Sequence, residues 1–208
     1  MSGFLRIGWA ITPKIAPRPL ITCNRCGTVK AYCSSGKFRV NANGKRIDVW
    51  LIYRCIDCDN SWNFGIFERS NRREIGPALL QALESNDPGL ARRHAFDVVA
   101  LRNRIGRVEE FPDVAVHKHR LGGTRETATA LELQLGLEIP ISLRLDRLLA
   151  GELGISRSRL QALEERRLLV VHPDGAKALR KPARQGMTIR IDLAGEVDKD
   201  DIMSAAGE

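Results

Sequence analysis

CNRCGTVKAYCSSGKFRVNANGKRIDVWLIYRCIDC, residues 23–58, opens and closes on a C-x-x-C pair. Each pair, Cys23/Cys26 and Cys55/Cys58, sets two thiols at one tight turn. Four such sulfurs complete a tetrahedron around a zinc ion at about 2.3 Å from each ligand. The segment between the pairs, residues 27–54, is longer than the common spacing of roughly 15–20 residues in paired-cysteine zinc sites. A hairpin accounts for the excess. β-Prone residues flank Asn43-Gly44, and such a pair suits a type I′ turn because both positions there need positive φ. Gly27, directly after the first pair, fits the left-handed geometry that such a turn needs. Trp62, Phe64 and Ile66 alternate as a third strand. The segment therefore reads as an antiparallel β zinc ribbon. Four protein ligands close the site and leave no position for a reacting water, so the zinc is expected to be structural. A redox dithiol is the alternative for either pair. Cys33 is left over, either as a packed thiol, a reactive thiol or an alternative ligand.

Working outward, residues 3–12 read as an extended lead-in that passes through Pro13, Pro17 and Pro19. The first twenty residues have no long apolar core and no small-residue cleavage site, and no run of about 18 apolar residues occurs anywhere. The chain is thus expected to be cytoplasmic, without a membrane partner. In that compartment cysteines stay reduced and available to metal. After Ser70 the periodicity becomes helical, with Leu79, Leu80 and Leu83 on one face. Asp87-Pro88 is placed as cap and first residue of a second helix carrying Leu90, Ala91, His94, Ala95, Val98 and Val99. Between residues 107 and 142, the apolar stretch Leu131–Ile141 is compatible with helix or strand. His117-Lys118-His119 reads as a solvated loop.

Charge is distributed in blocks: +7 over residues 1–70, zero over 71–142, +5 over 143–193 and −4 over 194–208. Two basic blocks suit a polyanion, because cationic side chains displace condensed counterions whatever the sequence. The acidic end, from Glu196, reads as a disordered tail. In the second basic block Leu145, Leu148, Leu149 and Leu153 form a helical stripe that Gly154 ends. Ser156 is an apt cap for a second helix burying Leu160 and Leu163. Strands are expected at residues 168–171 and 187–193, with a turn at Pro173-Asp174-Gly175.

Arg144-Leu145-Asp146, Ser156-Arg157, Val171-His172-Pro173-Asp174-Gly175 and Gly186-Met187-Thr188-Ile189 carry a resemblance to a small RNA-binding domain. It is shared by ribosomal protein S-four, bacterial tyrosyl-tRNA synthetases and pseudouridine synthases. The chain departs from that pattern at Arg167, where a glycine usually precedes the first strand, in a longer turn, and at Gln185-Gly186-Met187, which lacks the expected aspartate. The resemblance implies that Arg144, Arg147, Arg157 and Arg159 face RNA phosphates, and Arg166 lies outward on the same second helix. Arginine suits the task because its planar fork pairs with phosphate oxygens bidentately. The whole chain also resembles a bacterial family catalogued as domain of unknown function 1062. Its cysteine pairs, Lys37-Phe38-Arg39-Val40-Asn41-Ala42, Asp48-Val49-Trp50-Leu51-Ile52-Tyr53 and Trp62-Asn63 carry that likeness.

The expected architecture is α+β, with a zinc ribbon over residues 1–69, a helical middle over 70–142, an ααβ RNA-binding-type module over 143–194 and an acidic tail over 195–208. The expected function is non-catalytic binding of structured RNA such as rRNA or tRNA, with the ribosome as a candidate partner and no small-molecule substrate. A zinc-ribbon regulator that places the Arg157–Arg167 helix in a DNA major groove is the competing reading, and an RNA-modifying enzyme a third. Against catalysis, the sequence carries no Gly-rich phosphate loop, no G-x-S-x-G elbow and no H-x-E with P-C-x-x-C pattern. The carboxylates Asp97, Glu109, Glu110 and Asp113 read as surface ion pairs.

Overall fold

The computed structural model describes residues 3–173 and 177–207. In chain order these form β1 (Gly3–Pro13), β2 (Arg18–Thr22), β3 (Val29–Asn43), β4 (Arg46–Cys55), β5 (Ser61–Asn71), α1 (Pro77–Glu84), α2 (Pro88–Ala95) and α3 (Val98–Ile105). The path continues through β6 (Val108–Glu109), β7 (Val114–Gly122), β8 (Ala128–Leu137), α4 (Leu145–Leu153), α5 (Arg157–Glu165), β9 (Leu169–His172), β10 (Thr188–Asp192) and α6 (Lys199–Gly207). The fold is mixed α+β, with two five-stranded sheets. The chain divides into two compact units, Ile15–Phe111, and Met1–Lys14 with Pro112–Glu208. Among the described residues no helix is long and apolar enough to cross a membrane.

In the 15–111 unit the sheet order is β5-β4-β3-β2-β6, with neighbours antiparallel. Along β4, Ile47, Val49, Leu51 and Tyr53 are buried and alternate with less buried residues. They meet Phe38 and, from the helices, Leu83, Leu90, Ala91, Ala95 and Leu101 in one core. The hairpin forms one residue later than expected. Asn43 pairs with Arg46, and the two-residue turn is Gly44-Lys45 with positive φ at Gly44 alone. Positive φ at the first central residue is the II′ pattern, and glycine supplies it without a steric cost.

Asp87 caps α2, its carboxylate accepting from the Leu90 amide at 2.6 Å, with Pro88 at the first helical position as expected. The single helix expected to run on through Val99 is broken. Asp97 accepts from the Ala100 amide and caps a separate α3, because a side chain that hydrogen-bonds its own backbone offers an alternative to helix continuation.

The expected helical middle, 70–142, is helical only as far as Ile105, and residues 107–142 instead supply β6, β7 and β8. Leu131, Leu133, Leu135 and Leu137 settle the open question by period-two burial in β8. The second sheet runs β7-β1-β8-β10-β9, with β1 and β8 parallel and the other pairs antiparallel. The lead-in strand β1 therefore belongs to the C-terminal unit and not with the cysteine pairs. Both of its partner strands lie more than 100 residues later, and no local pattern announces them.

Helices α4, α5 and α6 cover one face of this sheet through Leu145, Leu149, Leu160, Leu163, Ile202 and Met203. The tail expected to be disordered from Glu196 contains α6. Ile202, Met203 and Ala206 anchor it in the core, the Trp9 indole donates to the Ala206 carbonyl at 2.9 Å, and Asp200 and Asp201 favour its first turn. The expected turn at Pro173-Asp174-Gly175 lies partly outside the described residues. His117-Lys118-His119 is not a loop but part of β7, with both histidines exposed.

Candidate metal centre

The two cysteine pairs sit in knuckles built alike. Cys23 N–H donates to the Thr28 carbonyl and Gly27 N–H to the Cys23 carbonyl; Cys55 N–H donates to Asn60 and Asp59 N–H to Cys55, all at 2.8–3.0 Å. Gly27 has φ 70 as expected, and Asp59 takes the same left-handed geometry at φ 59 in the second knuckle. Aspartate, one of the few residues tolerant of that region, is the signal that the glycine reading passed over.

These turns bring the four thiols together. The Sγ atoms of Cys23 and Cys58 are 3.5 Å apart and those of Cys26 and Cys55 4.0 Å, and all four lie within 4.8 Å of one another. A tetrahedron with bonds of about 2.3 Å has edges of about 3.8 Å. The four cysteines are thus close enough to hold a metal ion, and the spacing and soft donor set are compatible with zinc. Cys33, on β3, lies outside the cluster.

Tyr32 is a member of the site that the sequence reading missed. It stands opposite Cys55 in register, almost fully buried, and its hydroxyl hydrogen-bonds the Cys23 sulfur and draws that thiol down to about 6. Cys26, hydrogen-bonded to Cys58, is pushed up to about 12. Four crowded sulfurs without a cation divide their protons unequally in this way. A dication among them favours the thiolate of each.

The five arginines singled out in the second basic block separate into three environments. Arg144 grips Asp146 through both carboxylate oxygens at 2.7 and 3.1 Å, and Arg157 reaches the same carboxylate at 2.9 and 3.0 Å. Asp146 is fully buried, while the two arginine side chains remain 38% and 46% exposed. Two guanidiniums on one carboxylate leave a fixed positive charge at the start of α5. Arg159 instead pairs with Asp198 and Glu196, and Arg166 with Glu196. The Arg159 guanidinium holds both carboxylates below their usual range. The acidic segment thus folds onto two of the candidate arginines, which their separation in the chain concealed. Arg147 is exposed, with no ion pair among the described residues. Of the other carboxylates considered, Glu110 pairs with Arg102 and Asp97 serves as a helix cap.

No curated protein and no solved structure matches the chain. A family model does, over residues 40–174, a span that includes Cys55, Cys58 and the first four helices of the chain as well as α5 but not Cys23 or Cys26. Covering more than half of the chain, that match places the protein in the family described as "Protein of unknown function (DUF1062)".

Proposed function

We propose that this chain is a non-catalytic RNA-binding protein whose 15–111 unit is a zinc ribbon and whose C-terminal unit presents an S-four-like ααβ surface to structured RNA. The observation that carries the reading is the closed set of four sulfurs, which offers an ion a complete tetrahedron and a substrate none of its positions. Zinc there orders the knuckles and the strands between them. Thiols kept reduced for such a site suit the cytoplasm.

The RNA half of the reading rests on α4 and α5. Arg144 and Arg157, oriented by Asp146, and Arg147 beside them offer guanidiniums to phosphate oxygens. The order of two helices and two antiparallel strands, α4-α5-β9-β10, agrees with the S-four resemblance. Arg167 adopts φ 59 at the position where that domain carries glycine. Such a surface reads the shape and backbone of folded RNA and needs no chemistry.

Binding of a labelled RNA hairpin across a salt series tests this surface. Arg147→Glu together with Arg157→Gln, which keeps an amide donor for the buried Asp146, will weaken binding and reduce the magnitude of the log–log salt slope by about 1 for each phosphate that an arginine no longer neutralises. An unchanged slope and affinity would remove α4 and α5 from the interface.

A further inference from the structure

The sheet of the C-terminal unit has one face that none of its described helices covers. Strand alternation turns Leu5, Ile7, Trp9 and Ile11 of β1 toward the helices, and so sends Phe4, Arg6, Gly8 and Ala10 to the opposite side. In the middle of that side, on β8, lies Glu132, only 5% exposed. Its neighbours in register on the two flanking strands are Arg6 and Arg190. Arg190 Nε donates to Glu132 at 2.7 Å, and Arg6 lies 3.7 Å from the other carboxylate oxygen. Burial works against ionising this carboxylate, but Arg190, a Gln134 amide that also donates to it and the more distant Arg6 together outweigh burial and hold the group below its usual range. The two arginine side chains are themselves 57% and 55% exposed. One carboxylate between two guanidiniums leaves a surplus positive charge whose position is fixed by a buried partner.

Rings accompany that charge. Phe4 lies beside the Arg190 guanidinium, 5.8 Å from carbon to ring centroid, and is 37% exposed. Next to it opens a cleft of about 280 Å³, whose wall also includes Arg167, Val170, His172 and Asp192, a carboxylate that accepts from the Ala194 amide at 2.9 Å. Further along β1, the His119 ring lies over Gly8 so closely that a Cβ there would stand 2.3 Å from its Nε2. A water-facing strand ordinarily presents mobile polar chains. This face presents planar groups, small residues and two guanidiniums tethered to one buried carboxylate, with Gln134 and Asp192 among them.

We propose that this sheet face binds an unpaired segment of RNA, with a base stacking on Phe4 in the cleft and backbone phosphates meeting Arg6, Arg190 and Arg167. The proposal rests on the reading of the chain as an RNA-binding protein and adds a second, single-strand surface to the helical one. Base–aromatic stacking beside a basic track is how proteins hold single strands without reading sequence. A peptide strand is the poorer fit, because β-addition needs the free amides and carbonyls of a sheet edge and a face offers none.

Polyuridine of about ten nucleotides, labelled at one end, is the probe, within the usual site size of about 4–16 nucleotides. The full chain will bind it, Phe4→Leu will weaken binding about tenfold by losing a stacking ring while keeping an apolar side chain, and Arg6→Gln will reduce the salt slope by about 0.7. Hairpin binding will be unchanged in both variants. Equal affinity of both variants and parent for polyuridine would overturn the proposal, as would a parent that binds the hairpin and ignores polyuridine; the latter leaves the helical surface standing. Conversely, loss of polyuridine binding in Phe4→Leu with hairpin binding indifferent to Arg147→Glu would uphold the sheet face and remove the helical one. A dimer of the parent that Phe4→Leu dissociates would assign this face to a second copy of the chain and overturn the proposal.

Discussion

Replacing Cys55 with serine is expected to release the metal and abolish cooperative folding of residues 15–111. Cys55 is almost fully buried and joins its knuckle to the β4 core, two residues from Tyr53. Structural zinc contributes about 10–16 kcal/mol of apparent binding energy in small zinc modules, whereas whole domains are stable by only about 5–15 kcal/mol. Losing one thiolate of four therefore removes an energy comparable to everything that holds the unit folded. Freshly purified parent will carry about one zinc per chain. In Cys55→Ser the near-ultraviolet dichroism of the packed Tyr53, Trp62 and Phe64 rings will collapse. Cys33→Ser, on β3 but outside the cluster, will retain both metal and signal. A zinc-free parent with four reduced thiols, or a Cys55→Ser protein with native dichroism and an unaltered melting temperature, would refute the structural-zinc reading.

The second large effect is expected at Asp146. Its carboxylate is fully buried and is shared by Arg144, which leads into α4, and Arg157, the first residue of α5. Removing one member of a buried ion pair costs about 3–5 kcal/mol when the other is stranded. Here both arginines remain partly exposed and can recover water, so Asp146→Ala is expected to cost about 2–3 kcal/mol, toward and below the lower end of that range. For a chain of this length that lowers the melting temperature by roughly 5–10 °C. Asp146→Asn, which keeps the volume and an accepting oxygen, will cost less. Calorimetry that finds Asp146→Ala within about 0.5 kcal/mol of the parent, the usual range of neutral surface changes, would show that the triad holds nothing together.

Much of this arrangement was legible where its cause is local. The C-x-x-C pairs, the cap at Asp87-Pro88, the stop at Gly154 and the cap at Ser156 each depend on a few consecutive residues, and the structure keeps them in those roles. Hairpin phase was harder. Both Asn43-Gly44 and Gly44-Lys45 place glycine in the turn, and the register of β3 against β4 selects the second. Asp97 reads from the sequence as a surface ion pair, whereas its carboxylate accepts from the Ala100 amide and caps α3.

What escaped the sequence depends on distance along the chain. The alternation in β1 marks a strand but cannot name β7 and β8 as its neighbours. The acidic block after residue 193 looked like a tail because charge dominates its composition, although Ile202, Met203 and Ala206 lie at helical spacing. Its carboxylates then engage Arg159 and Arg166, about 30 to 39 residues earlier in the chain. The candidate RNA surface consequently contracts toward Arg144, Arg147 and Arg157.

Competition between labelled hairpin RNA and excess duplex DNA of matched length at physiological salt decides whether the chain binds RNA without chemistry. Charge attracts both polymers, so only recognition of helix shape and 2′-hydroxyls separates them. The hairpin is expected to stay bound and to be recovered unchanged by mass analysis. Displacement by one defined duplex sequence, or a modified nucleotide in the recovered RNA, would contradict this expectation.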